Sequence, residues 1–130
     1  MAVNYTIGDV LITLKNASSV NKKKVKVVNT KFVRAVLDLL KKHNYIKDYV
    51  IVDDSKNLEV ELNYRKDGEP YIANVKFYSK PGRRWYVRAS ALGPVRSGHG
   101  IMIITTPKGI LTSLEAKKEN VGGEIICEIW

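Results

Sequence analysis

The strongest turn signal in the chain, Arg65-Lys66-Asp67-Gly68-Glu69-Pro70, falls near its middle. Glycine reaches positive φ without a steric cost, proline fixes its own φ, and Asp bonds to its local backbone, so the chain is expected to reverse here. At 130 residues the ceiling is one domain or two small intimate ones. The turn favours the second, and the expected parts are residues 1–69 and residues 70–130.

The apolar pattern differs on the two sides of that turn. Ile7, Val10, Leu11, Leu14 and Ala17 recur at helical spacing, which predicts a helix from Thr6 to about Ser18 with Thr6 or Asn4 as its cap. A short strand is expected at 25–28. Thr30 then opens a second helix with the stripe Phe32, Val33, Val36, Leu37 and Leu40, stopped near His43-Asn44, where Asn takes the left-handed position. Residues 45–52 and 58–64 read as strands joined by Asp53-Asp54-Ser55-Lys56-Asn57, with Glu59, Glu61 and Asn63 on a wet face. Beyond Pro70 strands dominate: 71–78, 84–88, the buried run 101–104, and 124–130. Lys80-Pro81-Gly82-Arg83 and the segments Gly93-Pro94 and Ser97-Gly98-His99-Gly100 connect them. Alternation over 84–88 points Trp85 and Val87 inward and Arg84, Tyr86 and Arg88 outward. Thr112 with Glu115 forms a capping box for a short helix that ends before Gly122-Gly123. The fold class is therefore α+β, with helices and a three-stranded sheet first and a mostly antiparallel sheet with a short helix second.

The formal charge of +9 is unevenly spread. Between Asp9 and Asp38 there are seven cations and no carboxylate, and between Glu69 and Glu115 again seven and none. The rest of the chain holds eight basic and thirteen acidic groups, a balance of −5, so the positive charge belongs to two segments. Such segregation is the footprint of a polyanion partner. In the second segment cations alternate with aromatics among Gly and Pro. That mixture suits phosphate contact plus stacking, the two needs of an RNA surface. The loop Thr105-Thr106-Pro107-Lys108-Gly109 adds two hydroxyls and a point charge between a buried strand and a capped helix, where it could bond sugar, phosphate or base edges.

Other chemistries find little to work with. His43 and His99 have no carboxylate or thiol at metal-ligand spacing, so no metal, cofactor or catalytic residue is expected. Asp53 and Asp54, with Glu59 and Glu61 across the hairpin, could collect a divalent cation of the kind nucleases use, but a solvated turn and strand face explains them better. The lone Cys127 alternates with Ile125 and Ile129 and reads as a small buried hydrophobe. No apolar run approaches the ~20 residues of a membrane span, and Met1 to Asn16 has no targeting pattern, so a cytosolic protein without a membrane partner is expected.

Several segments, in order, resemble the bacterial type of the small-subunit ribosomal protein eight family. Residues 100–117, Gly-Ile-Met-Ile-Ile-Thr-Thr-Pro-Lys-Gly-Ile-Leu-Thr-Ser-Leu-Glu-Ala-Lys, carry the most specific likeness, followed by Gly122-Gly123-Glu124-Ile125-Ile126-Cys127. Ser79-Lys80-Pro81-Gly82-Arg83 with Tyr86 matches a third segment. Ile7-Gly8-Asp9, Lys15-Asn16-Ala17 and Asn44-Tyr45-Ile46 match more loosely. The chain departs from the family at Tyr5-Thr6, Val28 and Asn44, and at Pro107, which replaces a hydroxyl residue and has no N–H to donate.

The resemblance implies a structural constituent of the small ribosomal subunit. Such a protein is a primary binder of the central domain of small-subunit ribosomal RNA that helps the platform assemble. The implied neighbours are small-subunit proteins five and twelve, and the implied state off the ribosome is a monomer. Carried over residue by residue, the recognition loop is Thr105-Thr106-Pro107, where the family usually has Ser-Thr-Ser. Tyr86, Gly123 and Glu124 are further contacts, and Thr30-Lys31 reaches the RNA backbone. Some family members are also thought to repress their own messenger. A metal-dependent nuclease built on the 53–61 carboxylates is the rival from another class.

Overall fold

The computed structural model describes residues 5–80, 82–95 and 99–130; expectations placed on Asn4, Pro81, Arg96, Ser97 and Gly98 lie outside them. The architecture is α+β as expected, with two helices and a three-stranded sheet followed by a five-stranded sheet and a short helix. Contacts within the chain separate two compact units, Thr6–Asn74 and one built on Val75–Trp130. The division falls beyond the 65–70 turn, because that turn closes inside the first unit. Arg65 donates its N–H to Glu69 O at 2.7 Å, Tyr64 bridges Pro70, and Tyr71 donates back to Asn63 O at 3.3 Å. Ile72, just past it, is buried.

In the first unit, helix α1 (Tyr5–Ser19) buries Ile7, Val10, Leu11, Leu14 and Ala17, the stripe its spacing dictates. Thr6 lies inside its first turn rather than at the cap. Strand β1 (Lys24–Val28) leads to α2 (Lys31–Lys42), whose N-cap is Thr30: its hydroxyl accepts the Val33 N–H at 3.1 Å. Asn44 takes φ 65° and lets Tyr45 donate to Leu40 O at 2.8 Å, which ends the helix where the sequence places the stop. Six buried side chains of α2 each contribute roughly 1.5–3 kcal/mol of burial. Strands β2 (Ile46–Val52) and β3 (Asn57–Leu62) complete a sheet of order β1-β3-β2, all neighbours antiparallel. Leu58, Val60 and Leu62 are buried on one face, and Glu59 and Glu61 occupy the other.

Tyr49 of β2 donates its phenol to Asp38 of α2 at 2.6 Å. Desolvation, then this bond to a carboxylate, pushes the Tyr49 phenol up to about 12 from an ordinary 10.0. The folded value lies above the unfolded one. The interaction's contribution is therefore complete below pH 10 and is lost as pH rises toward about 12. In an ultraviolet phenolate titration of the native chain, Tyr49→Phe is expected to delete a component centred near 12. An unchanged alkaline limb would contradict the assignment.

In the second unit, β8 (Gly123–Ile129) is the central strand. Strand β6 (Ile101–Thr106) pairs along one edge, and β4 (Val75–Phe77) and β5 (Tyr86–Val87) follow one another along the other. Both β4 and β5 are shorter than the alternation suggests. Residues 71–74 are spent on the first unit, and a 3-10 turn at Ala89–Ala91 takes over after Arg88. Strand β7 (Gly109–Thr112), not anticipated from the sequence, returns antiparallel to β6 and runs into α3 (Ser113–Lys118). The capping box is present: Thr112 Oγ1 accepts from Glu115 N at 3.2 Å, and Glu115 Oε1 accepts from Thr112 N at 2.9 Å. Leu92, Ile104 and Ala116 form a core cluster with Val87, Met102, Leu111 and Val121 packed on it. Cys127 is fully buried, and burial, with Glu128 beside it, pushes its thiol up, so it serves as an inert hydrophobe. No helix among the described residues is long and apolar enough to cross a membrane.

Candidate nucleic-acid interface

Residues 105–109 are not a strand-to-helix loop but the tip of the β6–β7 hairpin. Thr105 and Thr106 belong to β6, and Pro107 and Lys108 make a two-residue turn closed by the pair Thr106–Gly109. Gly109 takes φ 109°, a conformation that a side chain resists, so β7 starts at this residue. The Thr106 hydroxyl staples the turn: it donates to Gly109 O at 2.8 Å and accepts from Lys108 N at 3.1 Å. Thr105 makes no side-chain hydrogen bond among the described residues. Pro107 contributes a fixed φ and no N–H.

Strand pairing sets the neighbours of this tip. Glu124 of β8 lies opposite Thr105 of β6 on one side and opposite Tyr86 of β5 on the other. Directly opposed residues share a face, so Tyr86, Glu124 and Thr105 form one row across three strands. Tyr86 is 71% exposed, while Glu124 is only 4% exposed. Arg84 reaches across to donate from a guanidinium nitrogen to Glu124 Oε2 at 3.3 Å. A carboxylate that buried is costly without such a donor. Tyr86, Thr105, Thr106, Pro107, Gly123 and Glu124 line a shallow depression, and Gly122 completes it.

Both glycines are there because backbones come close. A Cβ on Gly123 would sit 2.1 Å from Thr105 O, and one on Gly122 would sit 2.3 Å from Val87 O. The sequence marks Gly122 as the residue that follows a helix and as part of the Gly-Gly-Glu likeness; its place in the depression depends on β5 pairing with β8.

The remaining expected site residues are less concentrated. Arg88 is exposed and extended just after β5, beyond the paired part of the strand. Lys108, expected as a bare point charge, donates to Glu119 Oε2 at 3.3 Å; both groups are exposed, so this pair is weak. Thr30 and Lys31 belong to the first unit, where the Thr30 hydroxyl is committed to its cap and Lys31 is exposed. Trp85 departs from expectation: it lies just before the two-residue strand β5 and is 41% exposed.

Three of the four carboxylates that could have served a nuclease, Asp53, Glu59 and Glu61, are paired off. Asp53 accepts from Asn57 at 2.9 Å and from Lys26 at 3.1 Å, which hold its carboxyl below the usual range. Glu59 lies 3.9 Å from Lys24, and Glu61 lies 4.0 Å from Lys47. Among the described residues no three His, Cys, Asp or Glu side chains gather as a metal site.

Comparison with known proteins covers the whole chain. A family model described as ribosomal protein S8 matches residues 5–130. Small ribosomal subunit protein uS8 of Kosmotoga olearia is 43% identical over 129 residues, covering 95% of this chain and 96% of that protein. The proteins of the same name from Pelagibacter ubique, 41% identical, and Maricaulis maris, 42% identical, match at 99–100% coverage of both chains. The Gly-Gly-Glu strand, the hydroxyl-bearing hairpin tip and Tyr86 thus come together in a chain matched from its first described residue to its last, and this chain belongs to the ribosomal protein S8 family.

Proposed function

We propose that the chain is a non-catalytic constituent of the small ribosomal subunit that binds the central domain of its ribosomal RNA and helps the platform assemble. The observation that carries this reading is the row Tyr86–Glu124–Thr105, three different recognition chemistries fixed in register by strand pairing. Tyr86 offers an exposed ring for stacking, Glu124 accepts from a base N–H, and Thr105 donates its hydroxyl. Because Arg84 and the surrounding strands already hold Glu124, little ordering cost falls on binding. Thr106 keeps the tip closed, Pro107 stiffens it, and Lys108 and Arg88 supply sequence-independent attraction. In the first unit Thr30-Lys31 contacts the RNA backbone. Small-subunit proteins five and twelve are its neighbours in the assembled particle, which places it in the cytoplasm.

The test is binding of the intact chain to a central-domain RNA fragment across a salt series. Tyr86→Ala and Thr105→Val are each expected to weaken binding about tenfold at fixed salt, in keeping with the loss of one stacked base or one hydrogen bond. Lys108→Ala is expected to reduce the log–log salt slope by about 1 or less while leaving the preference for this RNA intact. Equal affinity for any duplex RNA, with Tyr86→Ala and Thr105→Val silent, would overturn the reading.

A further inference from the structure

The five-stranded sheet carries a second cationic and aromatic surface, apart from the depression at Tyr86. Trp85 is the residue before Tyr86, so its side chain leaves the sheet on the opposite side. There it meets Tyr78 edge-on, ring centroids 5.7 Å apart. The Arg83 guanidinium lies 5.5 Å from the centre of the Trp85 ring, and the Lys76 ammonium lies 5.1 Å from the centre of the Tyr78 ring. Lys76, Phe77, Tyr78, Lys80, Arg83 and Trp85 line one shallow pocket. The three cations are all exposed.

An exposed tryptophan forfeits a large burial gain, yet this one is anchored in place. Its backbone N–H donates to the buried Ser79 hydroxyl at 3.0 Å, and its backbone carbonyl accepts from Ile125 N at 2.9 Å. The ring is thus presented to solvent by a fixed backbone. The segment that supplies all six lining residues contains no carboxylate. Glu128, opposite Lys76 across the sheet, is buried and accepts from the Tyr78 phenol, so one carboxylate is set against three exposed cations.

We propose that this pocket binds an unpaired stretch of RNA, with a base stacked on Trp85 and its flanking phosphates held by Lys76, Lys80 and Arg83. The proposal takes its ligand class from the function proposed above but concerns a different face of the sheet and a different form of RNA. Acidic protein segments would satisfy the cations and leave the fixed aromatic ring unused; nucleotides use both.

The experiment follows the intact chain binding a fluorescent single-stranded oligouridine decamer by anisotropy. Trp85→Ala is expected to weaken binding about tenfold, and Trp85→Phe, which keeps a stacking face, less than threefold. Because truncation of Trp85 also strips Tyr78 of its neighbour, a second variant is needed. Lys76→Gln with Arg83→Gln should weaken binding about tenfold and reduce the salt slope by about 1.4, while the charge-matched control Lys66→Gln with Lys118→Gln leaves both unchanged. The proposal is overturned if both pocket variants bind like the parent chain. It is also overturned if oligoglutamate of equal charge competes as well as oligouridine, or if Tyr86→Ala abolishes the binding, which would put the strand on the opposite face. The folded central-domain fragment reads the function proposed above and the oligouridine reads this pocket, so either can fail without the other.

Discussion

Replacing Gly123 with alanine is expected to destabilise the chain by about 3 kcal/mol and to abolish binding to the central-domain RNA. The added Cβ would stand 2.1 Å from Thr105 O and 2.9 Å from Thr105 C, backbone atoms that no rotamer change can move aside. Strands β6 and β8 would have to part at Thr105–Glu124, the pair that aligns the recognition row. Overpacking in a well-packed site costs roughly 1–3 kcal/mol, and a clash with paired backbone belongs at the upper end. For a chain of this size that lowers the melting temperature by roughly 10 °C. Gly93 provides the contrast, since a Cβ there meets nothing within 4 Å. Gly93→Ala should fall within about 0.5 kcal/mol of the parent, as most substitutions away from special features do. Urea or thermal unfolding followed by circular dichroism measures both. If Gly123→Ala matched Gly93→Ala, close approach of the strands would not be what requires glycine.

What could be read from the sequence follows how local its causes are. Helix α2 was fully legible because its stripe, the Thr30 cap and the Asn44 stop all lie within one short segment. Strand β7 was not, because its four residues are too few for a period, and Thr112 serves both as the last strand residue and as the cap of α3. Alternation placed Trp85 on the opposite side from Tyr86, but alternation says which side a residue takes, not whether anything covers that side. The site itself was legible as a set of residues and not as an arrangement. Lys108 meets Glu119 only because a hairpin and a helix fold the segment back on itself. Arg84 meets Glu124, forty residues away, only because β5 pairs with β8. Charge patterning in a carboxylate-free segment suggests phosphate as the partner of Arg84; the fold adds a carboxylate that the pattern does not show.

That pairing carries the second large effect. Arg84→Ala leaves the Glu124 carboxylate, 4% exposed, without its guanidinium partner. Removing one partner of a fully buried pair costs about 3–5 kcal/mol, mostly from the charge left behind. The Arg84 side chain is 28% exposed, so water screens part of this, and about 2 kcal/mol is the expected loss of stability. Glu124→Gln removes the orphaned charge while keeping the side chain's shape. The double variant Arg84→Ala with Glu124→Gln should therefore be more stable than Arg84→Ala alone, by about 1 kcal/mol, a coupling of the size expected between contacting residues. An arginine that served only as a phosphate contact would behave oppositely. Its removal would leave unfolding unchanged, lower the salt slope of RNA binding by about 0.9, and gain nothing from Glu124→Gln. With Arg84 as the group that positions Glu124, affinity for the central-domain fragment falls at every salt concentration while the slope holds, because the lost contact is a base contact from a misplaced carboxylate rather than a displaced counterion.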